Sequence, residues 1–294
     1  VMVLRHGRVI AEASIAPYKK DVWHASYSMC KSVVGMAVGM LIDEGKLRLE
    51  DKVLKLLESR SLLAGLRQKN LTVEQLLTMS TGVTFNELGI VSGDDWVSGY
   101  LQSPAKGAPG EKFEYNSMNT YILSAVVTKV TGETLTEYLR PRLWEPLGIR
   151  NVFWEACPKG ITKGGWGLFI TTEDAAKLGQ LYLQKGVWNG ERLLSEEWVR
   201  AATEKHIETP ESMGPYGYGY QVWMGGRPGS YTFNGMLGQN VVVYPDLDMV
   251  IALNAGSDEL FQNCILLNIV KKYFEGGSPA ADTALPADPA GRRA

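Results

Sequence analysis

The sequence predicts an α/β protein of the α+β kind. Strands from both ends of the chain form one antiparallel sheet flanked by helices, and a mostly helical subdomain is inserted between them. Three observations carry this. The first fourteen residues are β-type runs about a His6-Gly7 turn. The chain after Tyr216 again has strand character, with Pro245–Asp248 as a hairpin turn. Between these ends the apolar residues recur mainly at helical spacing. Strands at the two ends of a chain bury their apolar faces most economically in one sheet with helices over it. With 294 residues, 45% hydrophobic and 21% charged, the chain has ordinary globular composition and enough length for a real core.

Taken in order, Val1–Arg5 and Arg8–Ser14 read as the first two strands. From Ser28 the pattern changes: Val33, Val34, Ala37, Val38 and Leu41 mark a helix, with Gly45 where it would stop. Further helices are expected over Thr72–Met79, Thr120–Thr131 (closed by Gly132), Thr134–Leu139 and Thr172–Lys185 (closed by Gly186). Ser195–Thr203 opens with "SEEW", a capping serine followed by acidic first-turn residues. Phe85–Tyr115 is rich in Gly, Pro and Ser and has little periodicity, so a long functional loop is expected there. "YGYGYQVW", "SYTFNG" and "QNVVVYPDLDMVIALNAG" read as the late strands, and a final amphipathic helix is expected over Ser257–Phe274. The implied organisation is a discontinuous α/β domain of residues 1–47 and 161–275, an inserted helical subdomain of residues 48–160, and a disordered Pro/Ala/Gly-rich tail of residues 276–294.

Composition excludes several functions. A net charge of −2 with interspersed signs gives no footprint for nucleic acid or an anionic membrane. No apolar run reaches a membrane span; the longest, Val33 to Ile42, is broken by Gly35 and Gly39. Cys30, Cys157 and Cys264 are too few and too scattered for a disulfide framework or a zinc site, which favours a reducing, cytoplasmic location. A G-x-S-x-G elbow, an H-E-x-x-H helix and a Walker A loop are all absent, and "GYGYQV" does not complete a dinucleotide fingerprint. No metal and no cofactor is implied. The sequence carries no signal of oligomeric state.

The stretch "WHASYSMCKSVVGMAVGMLIDEGKL" holds the strongest chemical signal. Ser28 stands at the mouth of an apolar helix and Lys31 follows one turn on, on the same face. A lysine in a dry site can take a proton from serine, and the free amides of a helix start can help bind an oxyanion. The bland alternative is a capping serine beside a surface lysine. A second S-x-x-K, Ser103–Lys106, lies in the irregular loop with no buried helix behind it. Histidine is scarce (His6, His24, His206), so a Ser-His pair would have to use His24. Tyr115-Asn116-Ser117 is the one Y-x-S or Y-x-N in the chain; its tyrosine could shuttle a proton, or simply pack at a loop–helix junction. Gly235 and Gly238 flank the start of a late strand, which marks a close backbone approach or a bulge.

Together these stretches resemble the serine β-lactamase-like superfamily, nearest to class C β-lactamases, D-alanyl-D-alanine carboxypeptidases and related esterases and amidases. The likeness spans about Val3 to Phe274 and rests on order and spacing: "SYSMCKSVVGMAVGMLIDEGKLRLEDKV", "LTVEQLLTMSTGV", "PGEKFEYNS", "GGWGLFITTEDAAKLGQLYLQKGVWNGERLLSEEWV" and "FNGMLGQNVVVYPDLDMVIAL". The resemblance implies the β-lactamase/transpeptidase-like fold, Ser28 as nucleophile, Lys31 as its base partner and Tyr115 as the second proton-transfer residue. It implies an oxyanion hole of the backbone N–H groups of Ser28 and Met236. Ser117, Phe233, Asn234 and Gly235 become pocket candidates. Two departures matter. Phe233-Asn234-Gly235 stands where lactamases carry Lys-Thr-Gly or His-Thr-Gly, and Ser117 takes a place often held by Asn.

The expected function is therefore a serine hydrolase acting through an acyl-enzyme on a small, uncharged ester, amide or peptide-like substrate, with Phe233 as an apolar pocket wall. The alternatives within the superfamily are a β-lactamase, a D-Ala-D-Ala carboxypeptidase or a D-aminopeptidase. From outside the hydrolase class come a penicillin-recognising sensor that acylates without turnover and an inactive interaction domain.

Overall fold

The computed structural model describes residues 1–57 and 68–257, all within one compact unit, Val1–Phe261. The helix expected from Ser257 and the tail expected after residue 275 lie beyond the described residues.

Strands β1 (Met2–Arg5) and β2 (Arg8–Glu12) form the first hairpin. A two-residue β3 (His24–Ala25) leads through a single 3-10 turn, Tyr27–Met29, into α1 (Cys30–Asp43). The helices α2 (Val53–Leu56), α3 (Val73–Leu77), α4 (Glu87–Val91), α5 (Trp96–Gln102), α6 (Ser117–Thr131) and α7 (Leu135–Leu139) follow, α7 running into a π-helical turn at Arg140–Trp144. Next come β4 (Phe153–Trp154), β5 (Leu168–Ile170), α8 (Thr172–Leu183), the small hairpin β6 (Val187–Trp188) and β7 (Glu191–Arg192), and α9 (Glu196–Ala202). The described chain closes with β8 (Trp223–Met224), β9 (Tyr231–Gly235), β10 (Gln239–Tyr244) and β11 (Met249–Leu253).

The main sheet has the order β2-β1-β11-β10-β9-β8, antiparallel throughout. The first two strands thus join the last ones, as the sequence predicts, with Met2 opposite Ala252 and Arg5 opposite Met249. Helix α8 packs on β10 and β11. Helix α1 is buried from Cys30 to Leu41 on all sides, which fits a segment apolar all round rather than a surface helix. It lies against α6, α7, α9 and β9.

Local chemistry sets the boundaries. Thr72 and Gln75 form a reciprocal capping box on α3, and Thr134 and Glu137 do the same on α7. Helix α6 starts three residues earlier than its pattern predicts, because Asn116 accepts from the Met118 N–H at 2.9 Å and so caps it. Two short helices, α4 and α5, occupy part of the Phe85–Tyr115 stretch expected as loop; Asp95 caps α5 by accepting from Ser98 N–H.

One strand expectation is corrected. Of "YGYGYQVW" only Trp223 enters a strand. The Gly219 N–H turns back to the Val222 carbonyl, and Gln221 is held at φ +60°, so the chain coils instead of extending. A small sheet, β3-β5-β4, was not visible in the sequence, because strands of two or three residues carry no readable alternation.

Candidate active site

Ser28 sits inside the 3-10 turn that feeds α1. The turn is pinned by Ser26 N–H donating to the Leu168 carbonyl (2.8 Å) and Met29 N–H donating to the Ser26 carbonyl (3.1 Å). Tyr27, directly before the serine, is held at φ +46°. That left-handed conformation is costly for a residue with a side chain and persists only where the surroundings enforce it.

Lys31, on the first turn of α1, is 1% exposed. Its Nζ donates to Ser28 Oγ at 2.8 Å, to Ser117 Oγ at 3.2 Å and to the Gly165 carbonyl at 2.6 Å. Three oxygens thus surround Nζ, and none of them belongs to a carboxylate. Two predicted residues, Ser28 and Ser117, are therefore joined through a third. The Gly165 carbonyl was missed, since a backbone oxygen leaves no mark in a sequence. A Cβ on Gly165 would stand 2.5 Å from the Ser117 carbonyl, so only glycine lets this loop reach both α6 and Lys31. The neighbouring Gly164 carbonyl accepts from Cys30 Sγ at 3.0 Å. Burial pushes the Cys30 thiol up to about 12, opposed in part by Lys31, which keeps it a neutral donor.

The start of α6 delivers two residues at once. Ser117 is its first residue, and Tyr115 stands just before the capping Asn116. The Tyr115 ring centroid lies 5.0 Å from Lys31 Nζ. The ring is held in an aromatic cluster, 5.5 Å from Trp223 and 6.3 Å from Phe113 between centroids, with Tyr218 behind them. Burial, with Tyr115 nearby adding to it, pushes the Tyr218 phenol far up, so it stays a neutral hydroxyl.

The end of β9 forms the opposite wall. A Cβ on Gly235 would fall 2.2 Å from the Ser26 carbonyl and 3.1 Å from Met29 N. The backbone leading into Met236 therefore lies against the Ser28 turn. The other two residues of this motif are corrected. Phe233 is 1% exposed, with its ring perpendicular to that of Tyr182 on α8 at 5.2 Å; it is a core residue, not a pocket wall. Asn234 donates to Asn240 Oδ1 across the β9–β10 pair at 2.7 Å. On a strand, residues two apart share a face, so Phe233 and Gly235 both face inward and Asn234 faces the other way.

The second S-x-x-K differs from the first, for its Lys106 is exposed. Ser103 ends α5 in an extended conformation and its Oγ donates to the Gly99 carbonyl. His24, on β3, pairs with Ile170 of β5 and lays its ring 5.4 Å from Tyr18. Among the described residues no group of three or more His, Cys, Asp or Glu could hold a metal ion, and no helix is long and apolar enough to cross a membrane.

Sequence reasoning also missed Gln221. It is buried, donates to the Leu76 and Leu77 carbonyls and accepts from Thr120 Oγ1 at 2.6 Å, while its carbonyl accepts from Ser32 Oγ at 2.7 Å. It thereby ties α1, which carries Lys31, to α6, which carries Ser117. A neutral polar residue in an aromatic stretch gives no sequence signal of this.

A serine hydroxyl beside a buried lysine, a tyrosine at the same amine and an approaching strand end is an arrangement that can run nucleophilic acyl transfer. The chain resembles known proteins in sequence and in fold. The chain is 32% identical over 279 residues to 6-aminohexanoate-dimer hydrolase of Paenarthrobacter ureafaciens, covering 85% of this chain and 70% of that protein. It is 27% identical over 177 residues to esterase EstB of Burkholderia gladioli, covering 51% of this chain and 45% of that protein. In structure it matches a penicillin-binding protein from Bacillus halodurans with a TM-score of 0.72 at 19% identity, covering 93% of this chain and 94% of the other. It also matches EstCE1, a hydrolase with promiscuous acyltransferase activity, with a TM-score of 0.71 at 18% identity over 87% of each chain. The family model described as Beta-lactamase spans residues 1–261, and with that extent of match this chain belongs to the β-lactamase family.

Proposed function

We propose that this protein is a serine hydrolase that turns over small esters or amides through an acyl-enzyme on Ser28. One observation carries the reading: Lys31, wholly buried, spends its amine on Ser28 Oγ and Ser117 Oγ rather than on any carboxylate. A structural lysine is usually kept solvated or ion-paired.

In this reading Ser28 Oγ attacks the carbonyl carbon and its proton passes toward Lys31. Tyr115, beside that amine, relays this proton to the leaving oxygen or nitrogen; when water attacks the acyl group the relay runs in reverse, Tyr115 taking the water's proton and Lys31 returning one to Ser28 Oγ. The N–H groups of Ser28 and Met236 receive the oxyanion; the approach of Gly235 to the Ser28 turn supports that pairing. Ser117 shares the Lys31 amine and holds it in register. Residues 233–235 supply neither a cation nor a hydroxyl for a substrate carboxylate, which supports neutral substrates. The relatives named as a 6-aminohexanoate-dimer hydrolase and an esterase support cleavage of an amide or ester bond.

Ser28→Ala should abolish turnover of a short-chain aryl ester, while Ser103→Ala should retain it. Mass spectrometry of protein quenched during turnover should place the acyl group on Ser28. An acyl group on another residue, or an active Ser28→Ala enzyme, would overturn the assignment. A chromogenic cephalosporin assayed beside the ester should show the lower kcat/KM, because a lost charge-assisted hydrogen bond of about 1.5–3 kcal/mol costs about one to two decades. Parity between the two would restore the lactamase reading.

A further inference from the structure

A cavity of about 380 Å³ opens beside Tyr115, lined by Phe85, Phe113, Glu114, Tyr115, Pro210 and Met213. Its walls come from three separate stretches: the start of the Phe85–Tyr115 segment, its end, and the turn at Glu211–Met213. All are apolar or aromatic except Glu114. Phe85 is 52% exposed at this mouth.

We propose that this cavity receives the leaving-group arm of the substrate, the alcohol of an ester or the amine of an amide, and that the arm is apolar and not anionic. The inference rests on the hydrolase reading above. A residue that hands a proton to the leaving heteroatom must lie beside that atom, and Tyr115 is both that residue and a wall of the cavity. Whatever the departing oxygen or nitrogen carries therefore points along Phe113 toward Met213. The volume suits a bulky arm: a cavity of about 150 Å³ already takes a benzene ring. Glu114, the one charged lining group, disfavours an anionic arm and tolerates a neutral or cationic one.

The test separates the two sides of the scissile bond. One ester series holds acetyl constant and enlarges the alcohol from methyl to benzyl to 1-naphthylmethyl; the other holds methyl constant and enlarges the acyl group. The first series should gain about tenfold or more in kcat/KM across its length, as apolar pockets commonly give, and the second should gain less. Met213→Trp, which fills the cavity, and Phe85→Ala, which removes a wall from an exposed position, should each shrink the naphthylmethyl-to-methyl ratio by about tenfold. A carboxylate on the alcohol ring should lower kcat/KM, and Glu114→Gln should recover it. A readout independent of turnover is saturable binding of 1-naphthylmethanol to Ser28→Ala protein, followed by Trp fluorescence, which Met213→Trp/Ser28→Ala should weaken. Hydrolysis governed by the acyl side, or a size ratio unmoved by both wall variants, would overturn the inference while leaving the hydrolase reading intact. Saturable binding without hydrolysis of any ester or amide would overturn the hydrolase reading and, with it, the assignment to a leaving group.

Discussion

Lys31 shows at the residue scale how a side chain that normally stays in water can be fixed inside a protein: three oxygens surround its amine, and the Gly165 carbonyl is the nearest of them at 2.6 Å. Lys31→Ala and Tyr115→Phe should each lower kcat by about 100-fold or more and change KM less, since both are proposed to act on protons in the transition state. A near wild-type kcat for Tyr115→Phe would make the tyrosine a packing residue. Cys30, one position before Lys31, gives a pH effect with a defined sign. Burial pushes its thiol from an ordinary value near 9.0 up to about 12 in the fold. Above pH 9 the unfolded chain gives up a proton that the folded chain keeps, so stability should fall as pH rises from about 9 toward 12 and be indifferent to this group below 9. Urea unfolding of Cys30→Ala across that range should show a flatter decline. Ser28 with Lys31, and Tyr115 with Ser117, could be singled out as candidates from the sequence because each pair is a short side-chain motif. Phe233 was misplaced because what covers a strand residue, here Tyr182 of α8, is a tertiary contact that no single motif carries. Gly165 and Gln221 escaped because they act through a backbone carbonyl and through a buried amide among aromatics.

Among the elements, the contact between the end of β9 and the Ser28 turn has the least room. Gly235→Ala would place a methyl 2.2 Å from the Ser26 carbonyl. Overpacking of that kind costs about 1–3 kcal/mol, and here the backbone shift falls on the Ser28 turn. The variant should therefore lose turnover out of proportion to stability; a Tm scan beside initial rates measures both. The capping box of α3 predicts a purely structural effect: Thr72→Ala should cost about 1 kcal/mol in urea unfolding and leave kcat alone. Helices that begin at Thr72, Thr134 and Ser195 were legible for this reason, since their caps are written in side chains. Helices α4 and α5 were not, because five to seven residues among Gly and Ser give too little periodicity to separate a helix from a loop.

At the scale of the whole molecule the main sheet was legible from apolar runs at both ends of the chain, while its edge strand β8 was not, because Gln221 turns the chain just before it. That sheet also dictates an order of events in time. Met2 faces Ala252, partners roughly 250 residues apart in the chain, and β1 pairs on its other side only with its own hairpin mate β2. A lone hairpin is marginal in water, so β1 and β2 have little to hold them until β11 arrives. At about 5–20 residues per second, that wait lasts roughly 12–50 s on a translating ribosome, with an unpaired strand edge open to other chains throughout. Nascent chains stalled with residues 1–238 emerged should leave residues 1–12 open to protease, and chains stalled after residue 257 has emerged should protect them. Refolding of the released protein should be correspondingly slow, as long-range pairing makes it. Strands β1 and β2 are thus made well before the partner they need, and crowding of translating ribosomes is the condition under which this chain is most prone to aggregate.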